Sequence, residues 1–242
     1  MNLVDNFLFI GLPYLAIVTF LAGCIYRYRT RAFTYSSLSA QFLEGTGMSL
    51  FVLLFHWGIL VVFLAHLVAF LFPGLTLAWY SGTARLIVSE IIMLAFGLGA
   101  LVGMLVLFFR RFTNDRVRVV TSPMDKVIEL VLLVQIILGL CTAIGYRWGY
   151  YWFAGDMSPY LWSILLLNPQ IEAVQVMPWI FKAHVVGAFV IVALFPFSRL
   201  VHILVAPFHY IGRPYQQVMW NWDRSRIRSA STPWSETRPR NT

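Results

Sequence analysis

The sequence predicts an all-α fold with five transmembrane helices, and its composition, its apolar stretches and its charge distribution all support this. The chain has 242 residues, of which 60% are hydrophobic and only 12% are charged. Soluble domains carry about 25% charged residues, so this chain has too few charges to cover a surface that faces water. We therefore expect a multi-pass membrane protein that lies in the lipid bilayer.

Five apolar stretches are long enough to cross a bilayer, for which a helix needs about 20 residues. Their hydrophobicity is continuous rather than alternating, which favours helices over the strands of a membrane barrel. The connection 146–178 is rich in aromatic residues, and we expect it to lie along the membrane interface. We expect a bundle domain at 1–210 and a basic, Trp-containing cytoplasmic tail at 211–242. The predicted spans are 6–26, 48–72, 86–109, 125–145 and 179–206.

The basic residues predict how the chain is oriented in the membrane. With five spans, 15 of the 18 Lys and Arg residues fall on one side, together with the tail, and three fall on the other side. Because cytoplasmic connections are enriched in Lys and Arg, we predict the N-terminus outside (periplasmic) and the C-terminus in the cytoplasm. We interpret the net charge of +8 as a topology signal, and we expect no nucleic-acid partner.

Four histidines lie inside the predicted spans, at matching depths. His56 and His66 lie in the second span, and His184 and His202 lie in the fifth span, which runs in the opposite direction. Depth therefore pairs His66 with His184 near the outer face, and His56 with His202 near the cytoplasm. A histidine inside a bilayer is costly unless it is paired or liganded, so each one marks a functional hypothesis. Two imidazoles from facing helices can bind a haem iron on both axial sides, which leaves electron transfer as its role.

The spacing of the histidines within each span is unequal. His56 and His66 are ten residues apart in the sequence, which is about 15 Å along a helix. His184 and His202 are 18 residues apart, which is about 27 Å and returns to the same helical face. Tilted helices, or a kink at Pro196, would reconcile the two separations.

Other readings of these histidines stay open. A single histidine can simply pack between helices. A zinc site needs three or four ligands that converge at one depth, which this layout does not provide. A proton relay would add carboxylates within the spans. Only Glu90 and Glu129 lie in or near a span, and they fall toward span starts on opposite sides of the membrane.

Four segments of the chain resemble one known family. The resemblance is to the gamma subunit of respiratory nitrate reductase, a dihaem cytochrome b that anchors the enzyme in the membrane. It covers nearly all of 1–218 and does not extend to the tail at 219–242. The segments are FHWGILVVFLAHLVAF at 55–70, RRF followed by RVR at 110–118, KAHVVG at 182–187 and FPFSRLVHI at 195–203.

The resemblance implies two haem b groups, with His66 and His184 as ligands of the outer one and His56 and His202 as ligands of the inner one. It further implies that quinol, either menaquinol or ubiquinol, is oxidised near the outer haem. Electrons would then pass to an iron–sulfur beta subunit and a molybdenum-containing alpha subunit on the cytoplasmic side. The implied location is the cytoplasmic (inner) membrane of a bacterium or archaeon, where a dimer of heterotrimers could assemble.

Four arginines are further candidates for the two sites. Arg85 aligns with a basic residue of the family, a Lys there, at the outer start of the third span, so we expect Arg85 and His66 to contact quinol. Arg199 precedes His202 by one turn, and Arg110 and Arg111 end the third span on the same side. We expect at least one of these three to pair with a haem propionate. The alternative for all four is anchoring at the membrane surface.

Three other functions remain open at this stage. The partner enzyme could be a related molybdenum enzyme such as nitrite oxidoreductase, or the chain could be a structural anchor without haem. A transporter would call for discontinuous helices or paired intramembrane carboxylates. We expect His209 to be a surface residue, and Trp220 and Trp222 of the tail to dock on a cytoplasmic partner.

Overall fold

Five long helices form the frame of the protein in the computed structural model, which describes residues 3–35 and 49–205. All five are long and apolar enough to cross a membrane, which confirms the predicted number of spans. Within these ranges the fold is all-helical, without strands. The helices are α1 (Leu3–Arg31), α2 (Ser49–Leu71), α3 (Thr83–Thr113), α4 (Pro123–Gly145) and α5 (Trp179–Leu194).

Several predictions fall on residues outside those ranges. His209, Trp220 and Trp222 lie there, as does the predicted boundary between the bundle at 1–210 and the tail at 211–242. These expectations stay predictions.

The helix ends follow backbone hydrogen bonding rather than hydropathy. Hydropathy ends the third span at 109, whereas α3 continues through Arg110 and Arg111 to Thr113. A capping box begins α4: the Ser122 hydroxyl accepts a hydrogen bond from the Asp125 N–H at 3.2 Å, and the Ser122 N–H donates to Asp125 Oδ2 at 2.9 Å. Charged residues thus belong to helix ends that a hydropathy criterion excludes.

The predicted fifth span at 179–206 is not one continuous helix. Helix α5 ends at Leu194, and 3₁₀ turns follow at Phe195–Phe197 and Arg199–Val205. Pro196 is the physical reason, because proline lacks an N–H and its ring clashes with the preceding helical turn. His184 and His202 therefore lie on different elements and do not share one helical face.

The helices pack in the order α2, α3, α4, α5, α1. Glycines allow α2 and α3 to approach closely: a Cβ added to Gly58 would lie 2.6 Å from the Phe96 carbonyl oxygen, and one added to Gly103 would lie 2.6 Å from that of Phe51. Small residues at such contacts are typical of membrane helices. Gly58 therefore packs against a neighbouring helix.

The connection 146–178 packs against the helix ends. The buried Tyr160 hydroxyl donates to the Phe9 carbonyl oxygen at 2.8 Å, and the Ser158 hydroxyl donates to that of Ala69 at 2.9 Å. Pro13 explains the first bond, because it has no N–H to donate to the carbonyl four residues earlier. We call the bundle end with connections 72–82 and 146–178 the aromatic end, and the opposite end the arginine-rich end.

Candidate haem and quinol site

His66 lies on α2 in an aromatic pocket at the aromatic end. Its ring centroid lies 5.3 Å from that of Tyr150 and 5.0 Å from that of Phe153. Its Nδ1 is hydrogen-bonded to the Val62 carbonyl oxygen at 2.8 Å. Because a carbonyl oxygen only accepts hydrogen bonds, Nδ1 carries the proton and Nε2 keeps its lone pair.

His184 faces the same region from α5. Phe153, which contacts the His66 ring, packs against a buried cluster that contains Val185, the residue after His184. Its ring packs against α4, where a Cβ added to Gly139 would lie 3.0 Å from the imidazole Cε1. Its Nδ1 is buried. The structure thus places His66 and His184 at the same end of the bundle, and their pairing on one haem stays a prediction.

The other two histidines lie toward the arginine-rich end. His56 Nδ1 is hydrogen-bonded to the Val52 carbonyl oxygen at 2.7 Å, and His202 Nδ1 to the Arg199 carbonyl oxygen at 2.6 Å. Both rings therefore also keep the Nε2 lone pair. Between residues 49 and 205 the structure records no direct interaction of His56 with His202.

The chemistry of this donor set fits haem. Histidines that bind a metal generally donate their second ring N–H to a carbonyl or carboxylate, and three of the four rings already do so. Neutral imidazoles with a free Nε2 are the axial ligands of low-spin haem iron. In the described ranges, no group of three or more His, Cys, Asp or Glu side chains could hold a metal ion.

Arg85 folds back onto its own turn at the start of α3. Its Nε–H donates to the Trp79 carbonyl oxygen at 2.7 Å, and its guanidinium carbon lies 5.4 Å from the centroid of the Trp79 ring. Gly82 makes room for it, since an added Cβ there would lie 3.0 Å from the same carbon. Arg85 is exposed and makes no recorded contact with His66.

Arg111 and Arg199 belong to a charged cluster at the arginine-rich end. Arg111 pairs with Glu129 at 2.5 Å and lies 3.7 Å from Asp125, while Arg199 pairs with Asp125 at 2.8 Å. The Asp125 carboxylate is almost completely buried, so these guanidiniums neutralise a charge that water does not reach. The predicted pairing of Arg110, Arg111 or Arg199 with a propionate stays a prediction.

A family model described as nitrate reductase gamma subunit matches residues 5–221. The chain belongs to this family. The respiratory nitrate reductase 2 gamma chain of Escherichia coli K12 is 34% identical over 210 residues, which is 85% of this chain and 92% of that protein. The nitrate reductase gamma chain of Bacillus subtilis 168 is 30% identical over 207 residues, 84% and 93% of the two chains.

Membership in the nitrate reductase gamma subunit family confirms the resemblance seen in the sequence. Together with the five apolar helices, it makes this chain a multi-pass membrane protein of an oxidoreductase family that acts in electron transport. A second Escherichia coli relative, the respiratory nitrate reductase 1 gamma chain, is 31% identical over 234 residues.

Two tyrosines and a carboxylate of this gamma subunit were missed as site residues. The Tyr80 and Tyr150 ring centroids are 6.0 Å apart, so both lie near His66. Burial raises the pKa of the Tyr150 phenol above its ordinary value, so the hydroxyl stays neutral. Glu90 accepts the Trp148 N–H at 2.7 Å and so holds the connection against α3. The aromatic richness of 146–178 could have signalled Tyr150, whereas Tyr80 and Glu90 lie outside that stretch.

Arg27 is a second omission, at the arginine-rich end. In the sequence, Arg27 was counted only among the basic residues that predict topology. In the structure, its Nη1 donates to the carbonyl oxygens of Pro196 and Ser198, each at 2.7 Å. These carbonyls lie where α5 gives way to 3₁₀ turns. Arg27 therefore stabilises the break in the helix that leads to His202.

Proposed function

We propose that this gamma subunit is the membrane cytochrome b of a respiratory nitrate reductase, which oxidises quinol near the outer face and passes electrons inward. The observation that carries the proposal is that His66 and His184 lie at the same end of the bundle on two different helices, with the Nε2 lone pair of His66 free. Two haem b groups, when bound, would take electrons singly and carry them across the bilayer.

The aromatic end is the proposed quinol side. Tyr150 and Phe153 surround His66 with apolar ring surface, which excludes water from the site. In this proposal His66 and His184 hold the outer haem, and His66 and Arg85 contact menaquinol or ubiquinol. To contact quinol, the Arg85 side chain would either move away from the Trp79 ring or reach past it. The exposed turn on which Arg85 lies leaves room for either movement.

The arginine-rich end is the proposed electron exit. His56 and His202 would hold the inner haem, and Arg110, Arg111 or Arg199 would pair with a propionate. Since two of these guanidiniums lie on Asp125 and Glu129, such a pairing would share or replace those contacts. The concentration of arginines supports a cytoplasmic orientation of this end, with the N-terminus outside.

The partners of the proposed electron exit are an iron–sulfur beta subunit and a molybdenum-containing alpha subunit. The relatives are named gamma chains of nitrate reductases, which supports a multisubunit enzyme. We place the complex in the cytoplasmic (inner) membrane of a bacterium or archaeon, with a dimer of heterotrimers as its proposed assembly. The nitrate chemistry would reside in the partner subunits.

The test is a haem count on the purified complex, combined with single histidine variants. We expect two low-spin b-type haems per chain in a dithionite-minus-air spectrum. His66→Ala and His184→Ala should each remove the same single haem and abolish quinol oxidation, while His209→Ala, a histidine outside the predicted spans, should keep both haems. A wild-type complex without haem would overturn the proposal, and so would His66→Ala and His184→Ala variants that lose different haems.

A further inference from the structure

His202 is oriented by a carbonyl oxygen that lies outside a regular α-helix. His56 and His66 are hydrogen-bonded to carbonyl oxygens four residues earlier, on the continuous helix α2. The His202 Nδ1 is instead hydrogen-bonded to the Arg199 carbonyl oxygen, three residues earlier, at 2.6 Å. Arg199 begins a 3₁₀ turn directly after Ser198, whose backbone is extended. Contacts from other parts of the chain must therefore hold this carbonyl oxygen in place.

The Arg199 side chain makes such contacts. Its Nη2 donates to the Asp125 carboxylate at 2.8 Å and to the Val120 carbonyl oxygen at 3.0 Å. Both acceptors lie at the start of α4 or just before it, whereas Arg199 follows the end of α5. Arg199 thus contacts the start of α4 through its guanidinium and His202 through its carbonyl oxygen.

Asp125 makes more contacts than its capping box requires. The box needs one hydrogen bond from the Ser122 N–H, which Asp125 Oδ2 accepts at 2.9 Å. The same oxygen also accepts a hydrogen bond from the Arg199 guanidinium, and the Arg111 guanidinium lies 3.7 Å away. The carboxylate is almost completely buried, and a buried charge is costly unless it is paired. A helix cap does not require this burial, so the burial favours a separate role in the ion pair with Arg199.

We propose that Asp125 is a positioning residue for His202 and acts through Arg199. This inference rests on the proposed function of His202 as a ligand of the inner haem. The carboxylate fixes the guanidinium, the fixed side chain places the Arg199 carbonyl oxygen, and that oxygen orients the imidazole ring. Arg27 of α1 holds the preceding residue, because it donates to the Ser198 carbonyl oxygen at 2.7 Å.

The spectrum of the inner haem would report this positioning. A hydrogen bond to the second ring nitrogen fixes the orientation of a histidine ligand and raises its basicity. The g values of oxidised low-spin haem depend on how its two imidazole planes are oriented. Weaker positioning of His202 should therefore change the electron paramagnetic resonance signal of the inner haem. A less basic ligand favours reduced iron and should raise the midpoint potential of that haem.

The experiment combines electron paramagnetic resonance with an optical redox titration of the complete complex in membranes. The inner haem is defined as the one lost in His56→Ala. Asp125→Asn keeps the size of the side chain and an oxygen for the cap, but removes the charge that binds Arg199. We expect a shifted g value and a ratio of reduced to oxidised inner haem, at a fixed potential, that is about threefold to tenfold higher. Asp125→Ala should shift both in the same direction, and the outer haem should stay as in the wild type.

Two controls separate positioning from capping and from charge. Ser122→Ala removes the hydroxyl that accepts the Asp125 N–H, but keeps the carboxylate and its pairing with Arg199. Asp115→Asn removes an exposed negative charge at the same end of the bundle, where Asp115 pairs with Arg118. Both variants should show the wild-type signal and titration of the inner haem.

An inner haem that is unchanged in both Asp125→Asn and Asp125→Ala would overturn the inference. The same change in Ser122→Ala, a raised potential with unchanged g values, or a loss of both haems in the two Asp125 variants alike would also overturn it. Selective loss of the inner haem in Asp125→Ala would support it. The proposed function fails separately, if His202→Ala retains two haems.

Discussion

The two ends of the bundle hold their histidines by different physical means. At the aromatic end, His66 and His184 project from regular helices into a pocket of aromatic rings and glycine backbone. At the arginine-rich end, His202 follows a broken helix that Arg27 and Arg199 stabilise through hydrogen bonds and an ion pair.

The difference reflects where in a membrane protein polar groups can be hydrogen-bonded. A broken helix exposes carbonyl oxygens, and lipid provides no donors for them, so the protein must supply its own. Guanidiniums can do this near the membrane surface, where their remaining N–H groups reach water or anionic groups. Deeper in the bundle, packing and single hydrogen bonds replace charge.

The largest expected effect is at the helix break. Arg27→Leu should leave the Pro196 and Ser198 carbonyl oxygens without a donor and destabilise the arginine-rich end by about 2–4 kcal/mol. Thermal release of each haem, followed by visible absorption, should show early loss of the inner haem and normal retention of the outer one. Arg29→Leu is the control, because Arg29 is exposed on the same helix. Equal behaviour of the two variants would contradict the role of Arg27.

An intermediate effect is expected at the opposite end. Tyr160→Phe removes the hydroxyl that donates to the Phe9 carbonyl oxygen, whose usual helical donor is missing at Pro13. The loss should be about 1–2 kcal/mol and should appear first as easier thermal release of the outer haem. Tyr151→Phe serves as the control, since Tyr151 is 50% exposed. Earlier release of the inner haem instead would contradict the claim that the Tyr160 hydrogen bond stabilises the aromatic end.

The smallest expected effect is at the exposed turn that begins α3. Arg85→Ala removes a cation–π contact with Trp79 and the proposed quinol contact, so the KM for quinol should rise about twofold to fivefold with kcat little changed. Arg85→Lys, which keeps a positive charge at this position, should recover most of the affinity. Arg147→Ala is the matched control on an exposed arginine. Quinol kinetics of Arg85→Ala that equal those of the wild type would exclude Arg85 from the pocket.

Residues whose role depends on near neighbours in the chain could be predicted well. The apolar runs predicted all five spanning helices, and Pro196 predicted a disturbance of the fifth. The extent of that disturbance was missed, because a proline predicts a break but not the 3₁₀ turns that follow it. Ser122 and Asp125 likewise form a capping box that any reader of the sequence could have found.

The amino-acid sequence alone determined the lipid environment, the number of spans and the family, because these depend on composition and on local order along the chain. Tertiary structure alone decided that Tyr150 lies beside His66, that Gln135 lies beside His184, and that Arg27 binds carbonyl oxygens 169 and 171 residues away. The physical reason is that such partners depend on the order and rotation of packed helices. Close glycine contacts, such as that of Gly58 with Phe96, set this packing, and hydropathy does not encode it.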